Sequence, residues 1–516
     1  MTDSLPVRLY RADQVRQLDR LAIETMGIAG FELMMRAGRS AFRHLLRRWP
    51  GIGSLTLFCG GGNNGGDGYV IAGLAKKRGM NVQLYWLSAP ETLKGEAAQA
   101  RDWAASLGVA FQPWRSGCPI DGDVLVDALL GTGLNSRVRG LYGEVIGAIN
   151  ASGRPVVAVD MPSGLSSDTG MPLGCAVQAE LTVTFIGLKQ GLLTGVGPDY
   201  VGTLVFDDLG VAPEVYGAVP PACRRVDWRQ VAGLIAPRPP CAHKGQFGRV
   251  LIVGGDEGMG GAAIMAAEAA ARTGAGLISV ATHRTHVPAV LVRCPEVMAR
   301  GVRTRHDLWP MLGRADVVVI GPGLGTGAWS QQMLQAVLES GKPLVLDADA
   351  LNLIAAQGLA ELVRAREHVM TPHPGEAARL LGSSVADIQA DRFAAVAKLQ
   401  QAYGGAILLK GAGTLISGGE ADPLPTLASV GNPGMATGGM GDVLSGMVGA
   451  LLAQSYSARQ AAELAACLHG EAARVAAWSK GYVSLLPTDV VAVLPSLLKD
   501  RDPMSSFEKQ QGNLHA

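Results

Sequence analysis

Asn63, Asn64 and Asp67 fall inside GGGNNGGDG, residues 60–68, which follows the strand-like run SLTLFC. Six glycines in nine residues let the backbone turn sharply and approach a ligand closely. A helix N-terminus behind such a loop favours anions. The pattern lacks the GK[ST] of a P-loop and is not GxGxxG. The bland alternative is a tight strand–helix turn, but two Asn and one Asp exceed what a turn needs. A second constellation, GNPGMATGGMGDVLSG at residues 431–446, places Asp442 at the start of an Ala-rich helix. Backbone N–H groups of residues 439–441 would form an anion hole, with Asp442 able to deprotonate a hydroxyl facing it. The alternative is that Asp442 is only a favourable helix charge.

Other groups recur at the ends of apolar runs. In the first half these are Asp127 and the loop Gly131, Thr132, Gly133, then Asp160 and Ser163 in VDMPSG. Ligands of open α/β sheets bind at the carboxyl ends of strands, so Asn64, Asp67, Asp127, Asp160 and Ser163 are expected in one cleft. Asn, Asp and Ser oxygens without His or Cys suit a hard cation better than zinc. In the second half come GGDEGMGGA (254–262), GPGLG (321–325), LDADALN with Asp347 and Asp349, TPHPGE with His373, and LLKGAGT with Lys410.

Short apolar runs must position these groups. They lie at 54–59, 82–87, 123–129, 155–160 and 181–186, then at 249–254, 276–281, 316–320, 343–347 and 406–409. Helical periodicity fills 12–24, 31–48, 69–79, 260–273, 327–339, 441–454 and 458–478. The alternation predicts doubly wound parallel sheets. A Pro-rich stretch, 208–245, has linker composition, with the boundary placed near 220–235. The expected domains are 1–222 and 226–500, with a polar, frayed tail over 501–516.

The chain has 516 residues, and 45 basic against 44 acidic side chains leave it near neutral. That excludes a strongly cationic nucleic-acid binder. A 48% hydrophobic content excludes a disordered chain. The 69 glycines are about twice the usual share of roughly 7%. Seven scattered cysteines without CxxC spacing argue for reduced thiols. No apolar h-region opens the chain and no run reaches a membrane span. A soluble cytoplasmic protein without membrane partners is expected.

GGGNNGGDGYV, DALLGTGL and AVDMPSGL, in this order, resemble the epimerase family of NAD(P)H-hydrate repair over about residues 10–215. HKGQFGRVLIVGG, GPGLG, DADALN, TPHPGE, KGAGT and GNPGMATGGMGD resemble the ADP-dependent dehydratase family of the same repair over about residues 228–498. The resemblance implies a Rossmann-like domain followed by a ribokinase-like α/β domain. It implies epimerisation of R and S hydrates of NADH and NADPH by the first. It implies ADP-driven dehydration of the S hydrate by the second, releasing AMP and phosphate.

By the same resemblance, Asn64, Asp127 and Ser163 hold K+. The hydrate lies against Asn63, Asn64, Gly65, Gly66, Asp67, Gly131, Thr132, Gly133, Leu134, Asn135, Ser136, Arg137 and Asp160, with Asp160 as acid/base. Whether the ring opens or the hydroxyl leaves stays open. In the dehydratase domain, Lys410, Gly411, Ala412, Gly413, Thr414 and Gly441 contact ADP, and Ala262, Gly323, His373 and Asp442 contact the hydrate. Asp442 is the base and Mg2+ accompanies the nucleotide. A homo-oligomer is expected. The rival readings are an ATP-dependent ribokinase-like kinase, a non-catalytic nucleotide-binding N-terminal module, and an NAD-dependent oxidoreductase, the last opposed by the absence of GxGxxG.

Overall fold

The computed structural model describes residues 5–417, 419 and 422–499; the tail expected over 501–516 lies outside them. The chain divides into two compact units, Met1–Arg224 and Arg225–Ala516. The stretch expected to be a linker is structured. It contains the helix Pro213–Ala218, the strand Cys223–Val226 and the helix Trp228–Val231. Pro213 opens its helix, where the missing N–H costs nothing, so proline content here marks helix starts as well as turns.

The first unit is built on a seven-stranded parallel sheet. Its spatial order is Phe111–Pro113, Asn81–Trp86, Ser54–Cys59, Val124–Ala128, Val156–Val159, Leu181–Phe185, Thr203–Asp207. Val124–Ala128, Val156–Val159 and Leu181–Phe185 are buried at every residue. Continuous apolar runs of this kind belong to strands covered on both faces. The strand order reverses between Ser54–Cys59 and Val124–Ala128, which is where a ligand crevice opens in such sheets. The helix Ala12–Met26 buries Val15, Leu18 and Ala22 at helical spacing and stops at Gly27, whose φ is 63°.

The second unit has seven parallel strands. They run Met298–Gly301, Leu277–Thr282, Arg249–Val253, Val317–Ile320, Leu344–Leu346, His368–Met370, Ala406–Leu409. Thr414–Ile416 and Thr426–Ala428 extend this sheet antiparallel. The reversal here lies between Arg249–Val253 and Val317–Ile320. The helices Gly260–Arg272 and Met440–Ala453 cover one face at very close range. A Cβ on Gly446 would stand 2.0 Å from the carbonyl oxygen of Ala266. Part of the glycine excess is thus spent on helix contact, not on loops.

The mixed α/β class, with parallel sheets at the core, is as expected. The Gly-rich segment after Cys59 differs from expectation. The helix there spans Asn63–Lys77, so most of GGGNNGGDG is helix rather than loop. No helix among the described residues is long and apolar enough to cross a membrane.

Candidate functional site

In the first unit a cavity of about 650 Å³ opens at the carboxyl ends of the central strands. Asn63, Asn64, Asp67, Gly131, Thr132, Gly133, Leu134, Asn135, Ser136 and Asp160 line it. Three expected hydrate contacts do not. A Cβ on Gly65 would meet the carbonyl oxygen of Gly60 at 2.1 Å, and one on Gly66 would meet Met34 at 2.6 Å. These two glycines therefore let the helix pack. The exposed Arg137 side chain lies against Gly174 instead.

Asp127 and Ser163 are buried just behind the cavity. The Ser163 hydroxyl donates to Asp127 Oδ1 at 2.6 Å and its N–H to Oδ2 at 2.8 Å. Burial pushes the Asp127 carboxyl up to about 6, against these hydrogen bonds. Leu130 N–H donates to the Ser163 hydroxyl at 2.8 Å, and the adjacent Gly131 packs on Asn64. Asn64 is 9% exposed, yet neither its Oδ1 nor its Nδ2 has a hydrogen-bond partner among the described residues. A buried amide without partners costs about 1–3 kcal/mol, and a coordinated cation would relieve its oxygen. The donor set of one carboxylate, one amide oxygen and one hydroxyl suits a large hard cation.

Asp160 has φ 66°, in the left-handed region. Its N–H is held by Val183 O at 2.8 Å. Its Oδ1 accepts from Thr184 Oγ1 at 3.2 Å, from Phe185 N at 3.1 Å, and from the ammonium of Lys189. Lys189 and Asp19 also line the cavity. Burial and the Asp160 charge push Asp19 up to about 6, offset partly by Lys189. Burial, then Asp160 and Asp19, raise Asp67 well above the carboxylate range. Lys189 and Asp19 escaped the sequence reading, since neither sits in a motif. The one available signal was a lysine following IG after a buried strand.

In the second unit Asp442 lies in the first turn of Met440–Ala453, preceded by Gly439 at φ 98°. Burial, then the charges of Asp347, Asp349 and Glu376, push it up to about 7, with Lys410 opposing. Lys410 Nζ donates to Asp347 Oδ1 at 2.8 Å and lies 3.8 Å from Glu376 Oε2. Asp347 is 1% exposed and also accepts from Thr371 Oγ1 at 2.8 Å and Ser445 Oγ at 2.5 Å. A Cβ on Gly441 would come within 3.2 Å of Lys410 Nζ, which places Lys410, Gly441 and Asp347 together. Ala262 and Gly323 also meet: a Cβ on Gly323 would stand 3.0 Å from that of Ala262.

His373 caps the helix Pro374–Leu381, its Nδ1 accepting from Gly375 N at 2.9 Å. Its half-exposed ring puts Nε2 3.2 Å from Glu376 Oε1. The loop Lys410, Gly411, Ala412, Gly413 and Thr414 turns through left-handed φ values at Gly411 and Gly413. Arg392, also missed in the sequence, is buried beneath it. Its guanidinium donates to the carbonyls of Leu409 at 3.3 Å and Lys410 at 3.2 Å. Those carbonyls point inward, which turns the N–H of Gly411 outward across its trans peptide. No cluster of three His, Cys, Asp or Glu able to hold a metal occurs among the described residues.

Comparison with known proteins adds family. A model described as NAD(P)H-hydrate dehydratase matches residues 250–496, and one described as YjeF-related protein N-terminus matches residues 30–191. The chain is 48% identical to a bifunctional NAD(P)H-hydrate repair enzyme of Coxiella burnetii, over 93% of this chain and 97% of that one. It is 43% identical to the enzyme of the same description from Escherichia coli, over 96% of this chain and 95% of that one. Among solved structures, a Bacillus subtilis ADP/ATP-dependent NAD(P)H-hydrate dehydratase co-crystallised with ATP and Mg2+ is 27% identical. It covers 54% of this chain and 98% of its own, with a TM-score of 0.47.

Proposed function

The chain belongs to the bifunctional NAD(P)H-hydrate repair family, and from that premise we propose how its two units divide and perform the repair. The protein is an epimerase and a dehydratase in one chain: the N-terminal domain carries the epimerase and the C-terminal domain the dehydratase. The ATP-dependent kinase reading is not favoured. We assign residues 1–222 to the epimerase domain and 226–500 to the dehydratase domain.

The observation that carries the dehydratase reading is the cluster of half-buried Asp442 and Lys410 with buried Asp347 beside the Gly439–Gly441 helix start. Hydroxide leaves poorly from C6 of the hydrate. Asp442 takes the hydroxyl proton, and the oxygen attacks the terminal phosphoryl group of ADP. Lys410 and the N–H groups at the helix start stabilise charge on that group, and AMP departs. Phosphate then leaves C6 with electron push from the ring nitrogen, and loss of a proton from C5 of the resulting iminium restores the dihydropyridine. Ala262, Gly323 and His373 hold the hydrate; Lys410, Gly411, Ala412, Gly413, Thr414 and Gly441 hold ADP. Mg2+ bound to the phosphates would neutralise part of their charge. The test is incubation with ADP and each hydrate epimer, followed at the dihydronicotinamide absorbance. Consumption of ATP with a stable phosphorylated product and no absorbance gain would sink this reading.

In the epimerase domain, the cavity holds the hydrate between Asn63, Asn64, Asp67, the loop Gly131 to Ser136, and Asp160. Asp160 moves the proton at the C6 hydroxyl. Asn64, Asp127 and Ser163 are the ligands for K+, and the unpartnered Asn64 amide supports this. Replacing K+ by a bulky organic cation is expected to slow epimerisation about tenfold, the scale on which shells around a metal site act, and to spare dehydration. In Asn64→Ala the rate should no longer respond to K+; a full response would refute the ligand set.

A homo-oligomer in the cytoplasm completes the reading. Trp478 is 91% exposed, with Val483 and Leu486 exposed nearby in the chain, an apolar surface of the kind assembly covers. Light scattering that returns a monomer at working concentration would refute it.

A further inference from the structure

We infer that Lys189 is the positioning residue of the epimerase: it anchors Asp160 through Oδ1 and leaves Oδ2 as the atom that meets the substrate. The inference rests on the assignment of epimerisation to this cavity, and deepens it.

Four observations carry it. The Lys189 side chain is 1% exposed, and buried ammonium groups persist when paired and hydrogen-bonded. All three of its donors are used, on Asp160 Oδ1, Thr184 Oγ1 at 3.0 Å and Phe185 O at 3.0 Å. Nothing is left over for a ligand, so its part is played through Asp160. Second, Oδ1 of Asp160 takes three donors, whereas Oδ2 takes none among the described residues. The carboxylate is anchored by one oxygen and offers the other to the cavity. Third, Asp160 adopts φ 66°, a conformation costing about 1–3 kcal/mol and kept where surroundings over-determine it. The lysine, Thr184 and Phe185 supply that determination. Fourth, the route of the chain is specific to this contact. Ile186, itself at φ 60°, reverses the chain after Leu181–Phe185. Leu188–Lys189 then pairs with Arg8–Tyr10, Lys189 opposite Tyr10. The lysine thereby returns beneath the end of Val156–Val159, where Asp160 begins its turn.

The other charged groups lining this part of the cavity are Asp19 and Arg16 from Ala12–Met26 and Asp67 from Asn63–Lys77. Burial and the charge on Asp160 shift Asp19 and Asp67 toward their protonated forms. Proton balance closes for ring opening. Oδ2 accepts the C6 hydroxyl proton as the C6–N1 bond breaks to leave an aldehyde, and passes it to N1; when N1 attacks the other face of the aldehyde and the bond re-forms, the proton returns through Oδ2 to the C6 oxygen.

The test is steady-state epimerisation in the full chain, with thermal melting of each variant as the measure of folded protein. Lys189→Met should lower kcat at neutral pH about a hundredfold while KM stays within about threefold. Lys189→Arg, which restores a buried cation, should recover kcat to within about tenfold of wild type. A wild-type kcat in Lys189→Met, or a loss carried by KM alone, would overturn the inference. If Lys189→Met does not fold, Thr184→Val decides: it removes one donor from Oδ1, and an unchanged kcat there also overturns it. Asp160→Asn separates the two levels. Normal epimerisation in that variant refutes the cavity assignment itself, whereas its loss beside a wild-type kcat in Lys189→Met refutes only the role of the lysine.

Discussion

Asp442→Asn is expected to abolish nucleotide-driven recovery of NADH from its S hydrate while leaving epimerisation intact. Removal of a positioned base costs roughly 10²–10⁴ in rate, and here the base also faces the anion hole that the helix start provides. The asparagine keeps the size and most of the hydrogen bonding of the side chain, so loss of rate reports loss of the proton acceptor. The pH dependence follows from burial. Burial and neighbouring carboxylates hold the Asp442 carboxyl at about 7, and only the ionised form accepts a proton. Dehydration by the wild type should therefore rise with pH through about 7 and flatten above it.

Stability runs the other way. An unfolded Asp titrates near 3.9, so between about 4 and 7 the folded state binds more protons than the unfolded one at this group. Its contribution to stability then falls as pH rises through that window. Asp442→Asn should accordingly melt higher than wild type at pH 8, with the gap closing at pH 5. Calorimetry at the two pH values, beside the absorbance assay, checks both halves. A variant that is inactive and less stable at pH 8 would point to a misfolded site rather than a missing base.

The second large effect concerns Asp160→Asn. Epimerisation is expected to fall by at least 10², with dehydration of the S hydrate unchanged. In the full chain supplied with both epimers and ADP, NADH recovery should be rapid at first. It should then stall when the S hydrate is spent, leaving R hydrate visible by chromatography. Wild type should carry recovery to completion. The fast phase reports the second unit alone, so thermal melting of the variant checks that the first is folded. Recovery to completion at the wild-type rate would remove Asp160 from the chemistry.

How legible was this molecule? The motifs at the strand ends were readable because their residues are local in sequence: Asn63 to Asp67, Asp127 with Gly131, Asp160 with Ser163. The long elements were readable too, since burial on both faces leaves continuous apolar runs such as VVAV at Val156–Val159. Three kinds of feature were not. Strands of three residues, such as Arg8–Tyr10 and His368–Met370, are too short to show a period. Glycine-rich helix was read as loop, because propensity charges about 1 kcal/mol per Gly. In Asn63–Lys77 tertiary packing overrides that cost, with Gly68 seated against Cys59 and Ala128. Finally, buried partners distant in sequence leave no local trace. Lys189 lies 29 residues from Asp160, and Arg392 18 residues from Lys410.

The close helix-to-helix approach at Gly446 reaches further than packing. Gly446 sits one helical turn after Asp442, and Ala266 one turn after Ala262. The contact between Gly446 and the Ala266 carbonyl therefore joins the arm that carries the base to the arm that meets the hydrate, at equal leverage on both. Backbone against backbone has no rotamer to absorb a change. With the roles proposed for Asp442 and Ala262, the distance between proton acceptor and substrate is thus set by the absence of one methyl group at a place that touches neither.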